Sequence, residues 1–218
     1  MSAPADTPSM IRFVDAANVM TLTSLVGAVA CVLLAIEQQI AYATVALILS
    51  GLCDLLDGMI ARRIKREEVN RRFGTHLDSL ADVCAFGFAP MVLLYSCGCN
   101  HPLEIVLLAL LPICVAWRLA YFETIPMPEV KGRKYFYGLP STYVALFMPL
   151  VLLGAIFFPV ILHPGLIAMT IILMLAMVST RRVPKPGRLA YLFFFLLALA
   201  AMVTFVLKGG NAFELPAP

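Results

Sequence analysis

Two short stretches of an apolar chain carry residues suited to chemistry: DLLDGMIAR at 54–62 and GTHLDSLAD at 74–82. Each holds two aspartates. A carboxylate within a membrane span costs at least about 2.5 kcal/mol at mid-depth on insertion scales, so four of them need a compensating interaction. Asp54, Asp57, Gly58, Ala61 and Arg62 stand at offsets 0, 3, 4, 7 and 8 and share one helix face. Gly74, Asp78 and Asp82, at offsets 0, 4 and 8, share another. Two antiparallel neighbours would aim four carboxylates at each other. One or two divalent cations would neutralise them, and hard oxygen ligands favour Mg²⁺, Mn²⁺ or Ca²⁺. Gly58, Ala61 and Gly74 leave room for a ligand or for close helix approach.

The elements that must hold these faces follow from composition. Of 218 residues, 61% are apolar and 13% charged, and the mean hydropathy is +0.93. A soluble domain is about 45–50% apolar and about 25% charged. A disordered chain, a coiled coil, a disulfide-stapled module and a typical cytosolic enzyme are excluded. The fold expected is an all-α, polytopic membrane helical bundle with spans at 17–36, 40–61, 75–96, 103–123, 140–158, 160–179 and 189–207. Six core spans result if 140–179 is bent or re-entrant. Residues 1–16 read as a polar tail and interfacial amphipathic segment, 17–207 as a transmembrane catalytic domain, and 208–218 as a second polar tail. No basic n-region or early cleavage site marks a signal peptide.

Lys and Arg concentrate in the loops 62–72, 124–138 and 181–188, and are absent from 37–39, 96–102 and 159. Short basic loops mark the cytoplasmic side, which puts the amino terminus and both acidic faces there. The net charge is +3, with no basic stripe interleaved with aromatics, so no nucleic-acid partner is expected. Cys97, Cys99 and His101 form either an incidental loop or a metal site one ligand short. His76 lies beside the acidic face at the wrong offset, and His163 reads as an inert residue of an external loop. Trp117, Tyr121 and Tyr137 suit an interfacial aromatic belt.

The pattern D-x-x-D-G-x-x-A-R, a spacer, then G-x-x-x-D-x-x-x-D resembles the motif of the CDP-alcohol phosphotransferases, with all eight fixed positions matched: Asp54, Asp57, Gly58, Ala61, Arg62, Gly74, Asp78 and Asp82. Within that family the chain is most similar to the phosphatidylserine synthase branch. The similarity is carried by LDSLADVCAFGFAP at 77–90, by Arg118-Leu119-Ala120-Tyr121-Phe122, by Phe136-Tyr137-Gly138-Leu139-Pro140 and by VPKP at 183–186. It departs at Glu123 and Thr142, where the branch commonly has Asn and Pro.

The resemblance implies a membrane phosphatidyltransferase that moves a phosphatidyl group from CDP-diacylglycerol to an alcohol, here L-serine, and releases CMP. It implies one or two Mg²⁺ or Mn²⁺ ions on Asp54, Asp57 and Asp78. Asp82 would be the general base and a further metal contact. Gly58, Ala61, Arg62 and Gly74 would surround the CDP moiety, with Asn18 and Thr21 as further nucleotide contacts. It also implies a homodimer among membrane lipids, in a prokaryotic cytoplasmic membrane. Serine's carboxylate calls for a cation, for which Arg118 leads and Arg133 and Lys134 follow; a positive-inside anchor is the plainer reading of the loop pair. Alternatives remain: inositol phosphate, glycerol phosphate or choline as acceptor, an aspartate-rich prenyltransferase, or a cation-binding transporter. The last two would need acidic groups further along the chain, where only Glu104, Glu123, Glu129 and Glu214 occur.

Overall fold

The computed structural model describes residues 10–125, 129–130, 133–184 and 187–209. Both expected polar tails therefore lie largely outside the described residues, as do Lys131 and the Lys185-Pro186 half of VPKP; the side chains of Arg133 and Lys134 lie outside them too. Among the described residues, the long helices follow in order: α1 (Ala16–Ile36), α2 (Ile40–Ala61), α3 (Glu68–Ser96), α4 (Pro102–Thr124), α5 (Val144–Phe157), α6 (Leu162–Val178) and α7 (Arg188–Lys208). Among the described residues, six helical stretches are long and apolar enough to cross a membrane; Ser141–Phe157 is the shorter seventh. The protein is an integral membrane helical bundle. Its lipid-facing side chains are apolar: Val26, Val106 and Leu207 are 67%, 61% and 76% exposed.

Local chemistry sets the ends. Asp15 caps α1, its side chain accepting from the Ala17 and Asn18 N–H groups at 3.0 and 2.9 Å. After α1 the chain reverses at Gln38, in the left-handed region at φ 59°. α1 and α2 then pack as an antiparallel pair. Ser24 Oγ donates to the Ser50 carbonyl at 2.9 Å, and Ser50 Oγ returns the bond to Ser24 at 2.8 Å. A Cβ on Gly27 would sit 3.1 Å from Ser50 Cβ, the close approach that small residues permit between membrane helices.

Three features depart from the expected layout. The third helix begins at Glu68, so half of the 62–72 stretch expected as loop is helical: Glu68 pairs with Arg71 and Arg72 one turn on, and these pairs favour the helix. Within α3, residues Val83–Phe88 widen into a π-helical turn, directly after Asp82. There Gly87 packs on α4, where a Cβ would come 2.8 Å from Pro112 Cα. Thirdly, a three-stranded antiparallel sheet of β1 (Glu129–Val130), β2 (Arg133–Tyr137) and β3 (Arg182–Pro184) joins two loops expected to be irregular. His163 is also reassigned: it opens α6, with Nε2 3.0 Å from Glu104 Oε1, and is not in a loop.

Candidate active site

The carboxylates meet where the C-terminal end of α2 passes the N-terminal half of α3. The helical period places Asp54 and Asp57 on one face of α2, with Asp78 and Asp82 facing them from α3. One carboxylate oxygen each from Asp54, Asp78 and Asp82 lies within 4.8 Å of the other two. Asp57 is held to one side: buried at 5% exposure, it accepts from Thr21 Oγ1 at 2.7 Å. Asp54 accepts from Thr142 Oγ1 at 3.1 Å, and Asp82 from Ser141 Oγ at 3.4 Å. Asp78 Oδ1 is buried with no hydrogen-bond partner among the described residues. Converging hard oxygens, with a buried and unsatisfied oxygen on one of the three residues, fit a divalent cation.

Two cavities of about 380 Å³ each flank this acidic ridge and share Asp57, Gly58, Arg62 and Asp78 as walls. The first holds Asp54, Asp82, Arg118, Ser141 and Thr142, and extends over apolar side chains to Phe194, Phe195 and Ala198 of α7. The second is the more polar of the two and is lined by Asn18, Thr21, Ala61, Arg66, Arg71 and Gly74. All eight motif positions thus line one cavity or the other.

Arg118 is 7% exposed. Its Nη1 donates to Ser141 Oγ at 3.4 Å, and its guanidinium lies 5.2 Å from the Phe122 ring centroid. Ser141 thereby bridges the buried Arg118 to Asp82. Asn18 has both ends of its amide engaged: Nδ2 donates to the Phe13 carbonyl at 2.7 Å, and Oδ1 accepts from Arg66 at 3.1 Å. His76 is exposed and 3.5 Å from Glu123, outside both cavity linings. Cys97 and Cys99 are buried free thiols, whereas His101 is exposed; among the described residues their loop assembles no metal-binding group.

Sequence reasoning gave no site role to three residues that the fold brings in. Arg66, counted only as a loop cation, is partly buried and ion-paired with Asp15. Ser141 and Thr142 reach Asp82 and Asp54 across 59 and 88 positions. The only local signal for them is their place directly after the F-x-G-L-P element.

An apolar bundle with a carboxylate cluster at one end that could hold a metal ion, a buried arginine beside it and a cavity on either side defines a class of membrane-embedded proteins. The family follows from comparison: the CDP-alcohol phosphatidyltransferase model matches residues 14–182, and the chain belongs to that family. It is 35% identical over 115 residues to the archaetidylserine synthase of Methanothermobacter thermautotrophicus, covering 52% of this chain and 47% of that protein. It is 33% identical over 126 residues to the CDP-diacylglycerol–serine O-phosphatidyltransferase of Mycobacterium leprae, covering 56% and 41%. A protein of the same name from Methanocaldococcus jannaschii is 32% identical over 157 residues, covering 71% and 70%. The chain spans less than half the length of the first two relatives.

Proposed function

We propose that this chain catalyses attack of the L-serine hydroxyl on CDP-diacylglycerol, giving phosphatidylserine and CMP. The observation that carries the reading is the convergence of Asp54, Asp78 and Asp82 in one cavity with Arg118. The names of the relatives, each a serine-type synthase, support the acceptor.

The serine oxygen attacks the phosphorus that bears the diacylglycerol. The new P–O bond replaces the bond to the bridging oxygen, which leaves with CMP. Asp82 takes the hydroxyl proton; a positioned base of this kind contributes about 10²–10⁴-fold. Ser141 orients Asp82, and Arg118 pairs with the serine carboxylate. Arg62, on the wall shared by both cavities, faces the diphosphate. The polar cavity, with Thr21, Ala61 and Gly74, takes the nucleotide. The apolar arm of the other cavity, toward Phe194 and Phe195, takes the start of the acyl chains. Asp54 and Asp78, with Asp57 and Asp82 adjoining, would hold Mg²⁺ or Mn²⁺; when bound, the cation neutralises diphosphate charge and activates the phosphorus toward attack. The remaining rate enhancement is positioning and electrostatics.

The three basic loops follow the C-terminal ends of α2, α4 and α6, and the site stands at the C-terminal end of α2, which supports a site facing the cytoplasm. A prokaryotic cytoplasmic membrane rests on the bacterial and archaeal relatives, beside which stands one from Saccharomyces cerevisiae. A homodimer rests on the family resemblance alone.

The test is CMP release by the purified chain in detergent with CDP-diacylglycerol and Mn²⁺. Serine, glycerol 3-phosphate, inositol phosphate and choline are offered in parallel. Serine alone should drive release, and Arg118→Ala should raise the serine KM about 10–100-fold, the worth of a lost charge-assisted bond. Release driven by another alcohol overturns the acceptor assignment. An unchanged serine KM removes Arg118 from the role given to it.

A further inference from the structure

The segment between β2 and α5 is built as a rigid bracket, and it ends on the acidic cluster. Gly138 stands at φ 67°, in the left-handed region. Its N–H donates to the Arg181 carbonyl at 3.0 Å, and the Leu139 N–H donates to the Ala176 carbonyl at 2.9 Å. These bonds staple the segment to the C-terminal end of α6. On one side β2 is paired with β3, Phe136 opposite Val183. On the other, Pro140 at φ −56° leads straight into a 3₁₀ turn over Ser141–Tyr143, closed by the Tyr143 N–H on the Pro140 carbonyl at 3.2 Å. Successive residues of such a turn point about 120° apart. The adjacent hydroxyls of Ser141 and Thr142 therefore reach carboxylates on two different helices, Asp82 of α3 and Asp54 of α2.

We propose that Thr142 is a positioning residue for Asp54. Its hydroxyl donates to Asp54 Oδ2 at 3.1 Å and fixes the carboxylate in the orientation that completes the three-oxygen cluster with Asp78 and Asp82. An aspartate side chain has two rotatable bonds, and Asp54 faces like charges on both sides. Thr142 supplies the donor from outside the carboxylate group, and without it Asp54 is oriented only by the other carboxylates. The hydroxyl neutralises part of the charge on one oxygen and leaves the other available to a cation. Thr142 is half-buried and held through a backbone that is itself stapled, so the orientation is set before any ligand arrives. The bracket thus ties the packing of the β2–β3 sheet to the affinity of the acidic site. This inference rests on the cation-binding reading of Asp54, Asp78 and Asp82.

The test is Mn²⁺ binding to the full chain in detergent, read as loss of the free-Mn²⁺ electron paramagnetic resonance signal, with no substrate present. Thr142→Val keeps the shape and removes the donor; Thr142→Ser keeps the donor. Outer-shell partners of metal ligands are worth about 10–100-fold in affinity, so Thr142→Val should weaken Mn²⁺ binding by that factor. Thr142→Ser should bind as the wild type does, which a purely structural role for the side-chain volume would not produce. Thr142→Ala provides a second donor-free variant should the valine side chain disturb folding, and it should lose affinity in the same way. Wild-type affinity in either donor-free variant overturns the inference while leaving the cation reading intact. Absence of Mn²⁺ binding to the wild-type chain overturns the cation reading itself, and the inference falls with it.

Discussion

Arg66→Ala probes how the wall of the polar cavity is held. Arg66 Nη2 contacts Asp15 Oδ1 and also donates to Asn18 Oδ1 at 3.1 Å. The side chains of Arg66 and Asp15 are 10% and 21% exposed. Breaking a fully buried ion pair costs about 3–5 kcal/mol, and an exposed one about 0–1. Asp15 keeps two backbone donors when the arginine is lost, so the cost falls between, at about 2–3 kcal/mol. At about 2–4 °C per kcal/mol for a chain of this size, Tm in detergent should drop by roughly 4–12 °C. Asp15→Asn retains an oxygen to cap α1 and should cost about 1–2 kcal/mol. The double variant should cost about 1–2 kcal/mol less than the sum, because both changes remove one interaction. Arg12→Ala is the control: its pair with Glu67, at 2.6 Å, joins side chains 54% and 66% exposed, and it should shift stability by less than about 0.5 kcal/mol. Thermal melts of the four proteins provide the cycle. Additivity within about 0.3–0.5 kcal/mol, or an Arg12→Ala cost equal to that of Arg66→Ala, would refute the reasoning.

Further outcomes follow from close contacts. Gly138→Ala should cost about 1–2 kcal/mol for the left-handed backbone alone, and more because its Cβ would stand 2.8 Å from the Ser179 carbonyl oxygen. Mn²⁺ binding should weaken with it, since the bracket shifts; unchanged affinity would separate the bracket from the site. Gly87→Ala would drive a Cβ into Pro112 and should cost about 1–3 kcal/mol by overpacking, measured as a lower Tm; an unchanged Tm would show that α3 and α4 can part freely there. Burial, with the Glu104 charge behind it, pushes the Cys99 thiol up to about 12, and burial pushes Cys97 higher still. Both are therefore neutral thiols at pH 8, and maleimide should label them only after SDS unfolding. Mass spectrometry that finds either labelled in the native protein would contradict this.

The acidic faces were legible because the helical period alone puts Asp54 with Asp57 and Asp78 with Asp82, and membrane burial makes each carboxylate conspicuous. The spans were legible for the same reason: an apolar run of about 20 residues has few other homes. Which of the four carboxylates converge was not. Asp57 belongs to the same face as Asp54, yet Thr21, 36 positions earlier, draws it out of the three-oxygen group. Ser141 and Thr142 carry no periodic signal; their reach depends on a glycine in the left-handed region and on a sheet pairing between distant loops. Arg66 looked like one more loop cation, since nothing local distinguishes it from Arg63 or Lys65. The π turn after Asp82, where Gly87 packs on Pro112 of α4, is a feature that apolar patterning does not record.

The measurement closest to the central claim is incorporation of radiolabelled L-serine into chloroform-extractable lipid by the purified chain, with CDP-diacylglycerol and Mn²⁺. Labelled phosphatidylserine should form in a one-to-one ratio with CMP, stop on chelation of the metal, and fall at least about 10²-fold in Asp82→Asn. Lipid labelling that survives chelation or persists in Asp82→Asn, or no labelling at all, would contradict the account.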